Sequence, residues 1–282
     1  MTVYDPRPCE LGEGPLWHPL RGQLFWFDIL AGRLLTRGPA GPGDWDFGEP
    51  VSAAGWIDRD RMLIAAASGL WRVDLADGSR QRLCALGPSG TRSNDGRADP
   101  QGGFWIGTMG LTAGRGEGAI WRWHRGERRC LYPGITIPNA IAFTPDGTEA
   151  RFADTVEGRV LRVALDPDGW PAGEPTVFLD LRAEGLNPDG AAIDADGVMW
   201  LAQWGAGRVA AYGPDGRFLR AVALPAPHTS CPAFGGPDLR TLFVTTALEG
   251  MDSDARLAHR LAGMTFAIEN VAPGRPEHRV AL

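Results

Sequence analysis

The chain has 282 residues, 44% of them apolar, with 39 Gly, 23 Pro and 11 Trp, so it can bury a full core while turning often. A formal net charge of −6, with 28 basic residues scattered singly, leaves no footprint for a phosphate backbone and argues against a nucleic-acid partner. The chain shows no apolar run long enough to cross a bilayer, no basic segment ahead of an apolar core at its start, and no close spacing among Cys9, Cys84, Cys130 and Cys231. No membrane partner, signal peptide, disulfide framework or structural zinc site is therefore expected, and the sequence reads as cytoplasmic with buried free thiols.

In chain order, a short strand near Thr2 to Arg7 is followed by a unit that recurs six times, a tight turn and then a strand. The strands are predicted to begin at Leu24 (LFWFD), Met62 (MLIAA), Phe104 (FWIGT), Ala150 (ARFAD), Met199 (MWLAQ) and Leu242 (LFVTT), at intervals of 38 to 49 residues. That period is the length of one four-stranded propeller blade. Outer strands are expected in GLWRVDL after Ser68, AIWRWHR after Gly118, GRVLRVALD after Glu157 and GRVAAYGPDG after Ala206. Helical periodicity is nowhere sustained, which excludes a helical solenoid, and a sandwich would not keep so regular a period. The prediction is an all-β, six-bladed β-propeller forming a single domain over residues 1–282. The N-terminal strand should pair with the last blade, because closure removes exposed edges.

Aligning the blades on their turns brings out a second pattern. The residue five places before the turn, at the start of each innermost strand, is Glu13, Ala53, Asn94, Asn139, Asp189 or Cys231. Four of these six carry side-chain oxygens, and propeller symmetry would gather them at one end of the axis. Asn and Asp also serve as turn formers, but that role does not require one shared register, and Glu is a poor turn former. Two carboxylates and two amides make a mainly oxygen site, suited to one divalent ion such as calcium, magnesium or manganese more than to zinc. So few protein ligands would leave positions for water and substrate. The five histidines fall outside the register and are expected at surface or packing positions. No GxSxG elbow supports a serine triad, and Gly114 to Gly118 reads as a loop between strands rather than a phosphate-binding motif.

The segments LGEGPLWHP (11–19), RSNDGRADPQGGFWIGTMG (92–110), IPNAIAFTPDGTEARFADT (137–155) and NPDGAAIDADGVMWLAQWG (187–205) resemble the signature stretches of the SMP-30/gluconolactonase family of six-bladed propellers. Residues 224–247 further resemble the bacterial sugar-lactone lactonases, such as xylonolactonases. The resemblance implies hydrolysis of a sugar lactone, an aldonolactone, to the aldonic acid in carbohydrate catabolism, dependent on one divalent metal that could be Ca, Mg, Mn, Zn or Fe. By motif, the metal ligands fall on Glu13, Asn139 and Asp189. Substrate contacts fall on Arg92 and Asn94, with Asp95 standing behind them. A sugar-holding Glu in some members maps to Glu117, and Asp189 is the candidate general base. Two other readings remain open from the residues: a propeller esterase or organophosphate hydrolase with an apolar pocket, and a non-catalytic propeller whose metal is structural. Arg92 beside Asn94 favours the sugar.

Overall fold

A computed structural model describes residues 1–38 and 41–282. Among the described residues the strands form six antiparallel sheets of four strands each. The second strand of each blade begins within one residue of its predicted start, at Gln23, Arg61, Phe104, Glu149, Met199 and Thr241. The turns that set this register work by side-chain capping: Asp99 Oδ1 accepts from the backbone N–H of Gln101 at 3.0 Å and of Gly103 at 2.7 Å, and Asp194 Oδ1 does the same for Asp196 and Val198, both at 3.0 Å. Among the described residues no helix is long and apolar enough to cross a membrane.

The blades pack face to face through apolar clusters, with Trp105 and Trp200 fully buried at matching positions of their blades. Closure comes from Thr2–Asp5, which pairs with Thr265–Ile268 and so completes the sixth blade. The N-terminal strand stops short of the expected Arg7. That guanidinium turns back onto buried Asp5 at 2.9 Å and donates to Thr36 O and Gly43 O of the first blade. Of the four free thiols, only Cys9 and Cys231 are buried. Cys84 and Cys130 sit on outermost strands, whose outer edges face solvent, so the expectation of four buried thiols is corrected there.

Six innermost strands surround the axis: Gly12–His18, Val51–Trp56, Thr91–Ala98, Pro138–Phe143, Asn187–Ile193 and Thr229–Gly235. One end of the channel is filled by the C-terminal tail, whose place the repeat gave no means of anticipating. Val280 is fully buried, Val280 N and Ala281 N donate to Trp56 O and Gly102 O, and Arg275 Nε reaches Ile193 O at 3.1 Å. Arg97, buried on the axis, pairs with Glu277 of the tail and donates to Ile141 O and Ala191 O. The channel therefore ends blind.

In one charge pair of the scaffold, Arg122 Nε to Asp99 Oδ2 at 2.6 Å, both side chains are fully buried. Arg122→Met would leave the Asp99 carboxylate buried and uncompensated, and should lower unfolding stability by about 3–5 kcal/mol. Urea denaturation checks this, and an unchanged midpoint would contradict it.

Candidate active site

Each innermost strand slips register near its start, at Glu13/Leu16, Val51/Ala53, Ser93/Gly96, Asn139/Ala142, Pro188/Ala191 and Thr229/Cys231. A bulge inserts a residue, bends the strand and re-aims the side chain beside it. At Gly14 the bulge needs φ of 53°, which Gly adopts freely, and the Cβ of any other residue would run into Ser52 O. Ala140, next to Asn139, holds φ of 57°, and its strained turn is fastened where Ile141 N donates to Asp95 Oδ2 at 2.7 Å.

The bulges surround a cavity of about 220 Å³ at the open end of the axis. Glu13, Arg92, Asn94, Asn139 and Asp189 all line it, and all five are buried. Of the ring read from the repeat, Ala53 and Cys231 do not line it. The Cys231 sulfur lies behind Gly190, facing a much smaller space beside Asp95 and Arg97, where burial and the nearby carboxylates push its thiol well up. Glu117 is not among the lining residues either. Its carboxylate folds over Gly110 and Gly114 within its own short loop, and only Ala113 of that loop reaches the cavity.

Hydrogen bonds tie the ring together. Arg92 Nη1 donates to Asn94 Oδ1 at 2.8 Å and to Ser93 O at 3.0 Å; Asn94 Nδ2 donates to Pro138 O at 3.0 Å and to Asn139 Oδ1 at 3.2 Å. Asn139 Nδ2 donates to Thr155 Oγ1 and Thr155 Oγ1 to Pro188 O, both at 2.8 Å, which carries the chain to the residue beside Asp189. Ser93 turns away, its hydroxyl bonding Ser52 Oγ and Ala65 O, as strand alternation between Arg92 and Asn94 requires.

The electrostatics are dominated by two carboxyls. Glu13 and Asp189 line the same cavity, and burial, then repulsion from the Glu13 and Asp95 charges, pushes Asp189 up; burial and Asp95 raise Glu13. Arg92, its own charged form disfavoured by burial, supplies only partial relief to Glu13. Among the described residues no cluster of three or more His, Cys, Asp and Glu surrounds one metal-sized point. The donor set here is two carboxylates and the Asn139 amide oxygen, hard oxygens whose unrelieved negative charge fits a divalent cation.

The repeat missed Met109, Thr155 and Trp204, which also line the cavity. All three stand five residues after a predicted strand start, at Phe104, Ala150 and Met199, so the same register applied to the far end of the second strands would have found them. Glu249, also on the wall, follows no register and had no signal.

The family model described as SMP-30/Gluconolactonase/LRE-like region matches residues 11–248. The pentonolactonase of Haloferax volcanii is 36% identical over 280 residues, spanning 96% of this chain and 94% of its own length. The 6-deoxy-6-sulfogluconolactonase of Pseudomonas putida is 35% identical over 277 residues, spanning 96% and 95%. The crystal structure of regucalcin, a calcium-binding protein from Agrobacterium tumefaciens, matches with a TM-score of 0.97 at 39% identity, covering 99% of this chain and 97% of its own.

A carboxyl whose pKa is raised by folding keeps its proton after the unfolded chain has lost it, so the unfolded state binds fewer protons and stability falls as pH climbs above the ordinary carboxylate range. In chelator-treated protein this loss should be seen between acid and neutral pH, because Glu13 and Asp189 are both raised. Glu13→Gln should flatten the slope and stabilise the metal-free protein at pH 8 by at least about 1.4 kcal/mol, one pKa unit's worth. Thermal melts across pH check it; a variant less stable than the parent at pH 8 would contradict the repulsion.

Proposed function

The chain belongs to the SMP-30/gluconolactonase/LRE-like family, and on that premise we propose that it is a lactonase, opening a monosaccharide lactone to its hydroxy acid with one divalent cation held by Glu13, Asn139 and Asp189. The observation that carries the reading is the carboxyl pair Glu13 and Asp189 lining a small cavity with Asn139, Asn94 and the Arg92 guanidinium, the last three linked by hydrogen bonds. The names of the relatives, pentonolactonase and 6-deoxy-6-sulfogluconolactonase, support a sugar lactone as substrate.

Such a cation supplies charge that polarises the lactone carbonyl and eases ionisation of water. Asp189 takes the proton of the attacking water as its oxygen adds to the carbonyl carbon, and returns that proton to the ring oxygen as the C–O bond breaks. Arg92 is held by Nη1 on Asn94 and Ser93, while its Nε and Nη2 have no protein partner among the described residues and can donate to substrate oxygens. Asn94 spends its amide on Pro138 and Asn139 and shares its oxygen with Arg92, so it acts chiefly by holding those groups in register. Glu117 has no part in this reading.

Met109, Ile137 and Trp204 give the upper wall an apolar character that favours an ester with a hydrophobic group as a second reading. The polar floor and a volume below the roughly 300–1,000 Å³ of typical ligand pockets favour a single small sugar ring over a bulky ester.

Arg92→Ala should lower kcat/KM on an aldonolactone on the order of tenfold to a hundredfold, the value of a charge-assisted hydrogen bond, while metal titration and melting stay near those of the parent. Asp189→Asn should lose both turnover and calorimetric metal affinity. A protein that binds the metal but turns over no lactone would make the cation structural, and turnover confined to aryl esters would favour the second reading.

A further inference from the structure

Glu249 lies outside the ring and outside every motif, yet it forms part of the cavity wall with Leu11 and Trp204. It sits just beyond the second strand of the sixth blade, Thr241–Thr246, in a loop fastened where Leu248 N and Glu249 N both donate to Glu10 O, at 3.0 and 2.8 Å, and Met251 N closes a turn on Leu248 O. The backbone is thus fixed. The carboxylate is not: half-buried, it has no side-chain hydrogen bond or ion pair among the described residues. Glu10, the other nearby acid, is engaged by Arg256 at 2.6 Å.

A half-buried carboxylate left without a partner is costly, and its natural partner here is a ligand. Burial pushes Glu249 up towards its neutral form, and Arg92, the cation it feels most, pulls it only part of the way back. A guanidinium with two free donors and a carboxylate with free lone pairs thus belong to one cavity, complementary to neighbouring hydroxyls that both accept and donate. Beside them Trp204 stacks flat on His228, with ring centroids 4.4 Å apart and planes 9° from parallel, and offers a rigid apolar face to the C–H side of a sugar.

Resting on the lactonase reading above, we infer that Glu249 is a specificity-determining residue, which accepts hydroxyls of neutral polyhydroxy lactones and rejects lactones that carry an anionic group. The charge balance argues the same way. A divalent cation offsets Glu13 and Asp189, which leaves Arg92 against Glu249. With the carboxylate present the cavity is neutral overall; without it, one positive charge is uncompensated and an anionic substituent becomes welcome.

The test compares wild type, Glu249→Gln and Glu249→Asp on D-glucono-1,5-lactone, which is neutral, and D-glucaro-1,4-lactone, which carries a free carboxylate, by acid release with divalent metal present. Glu249→Gln should raise the anionic-to-neutral ratio of kcat/KM on the order of tenfold or more, the size of one unscreened charge at this range. Its loss on the neutral lactone should appear in KM with kcat nearly unchanged. Glu249→Asp, which keeps the charge, should lose part of the neutral activity and gain none on the anionic lactone; should Glu249→Gln melt early, Glu249→Ala, which also removes the charge, takes its place in the comparison. An active wild type whose ratio is the same in both variants overturns the inference while leaving the lactonase reading intact. A well-folded, metal-loaded wild type that hydrolyses neither these lactones nor any other aldonolactone overturns that reading and this inference with it.

Discussion

Two carboxyls buried face to face are the arrangement on which the rest of this molecule depends. Glu13 and Asp189 come from the first and fifth blades, 176 positions apart in a chain whose repeat is fewer than 50 residues, and meet only because the ring closes. Burial holds both above the ordinary carboxylate range, and the Glu13 charge raises Asp189 further. The scaffold does not relieve this with a facing arginine; it places Arg92 to the side and spends one of its nitrogens on Asn94. Meanwhile it commits a second arginine, Arg97, to the layer beneath, where Glu277 of the tail and two carbonyls satisfy it. The positive charge that could have neutralised the pair is kept one layer away, which leaves the pair free for the cation proposed above.

The same layer explains why the C-terminal tail matters to a site it does not touch. Bulges aim the ring side chains, and a bulge without support would slip, since the period of a strand is two and a shift of one reverses every side chain. Asp95 fastens the bulge at Ala140 through Ile141 N; burial pushes its own carboxyl up, Arg97 draws it part of the way back, and it stands raised to about 6. Arg97 is in turn fixed by Glu277. Tail and bulge meet at Ile141, two residues from Asn139: its carbonyl accepts from Arg97 Nε and its N–H donates to Asp95.

How much of this could be read from the residues follows from what the repeat encodes. Strand starts were legible to within a residue because turn chemistry is local: Asp99 and Asp194 cap their turns with their own side chains. Glu13, Asn94, Asn139 and Asp189 were legible because a bulged strand repeats its register from blade to blade. Cys231 and Ala53 share that register yet miss the cavity, since what stands in front of a position, Gly190 in the case of Cys231, depends on the neighbouring blade. Glu117 stands outside the lining for a related reason: Gly110 and Gly114 leave room beneath it, and the side chain folds into its own loop. The tail and Glu249 belong to no repeat, and periodicity carries no information about either.

That division separates what the fold demands from what it leaves free. Every ring residue stands on a buried innermost strand, held by neighbours on two blades, so a change there strains bulge, ladder and charge balance together. The upper wall is built differently: Ala113 and Glu249 come from loops, and Trp204 from the last residue of a strand. Loops joined to a rigid scaffold can exchange residues without disturbing the register beneath them. The chemistry is accordingly lodged where substitution is costly, and recognition where it is cheap. It follows that the ring identifies what kind of reaction this propeller can perform, while the choice among related substrates is decided by the few side chains, Glu249 foremost, that the repeat does not constrain.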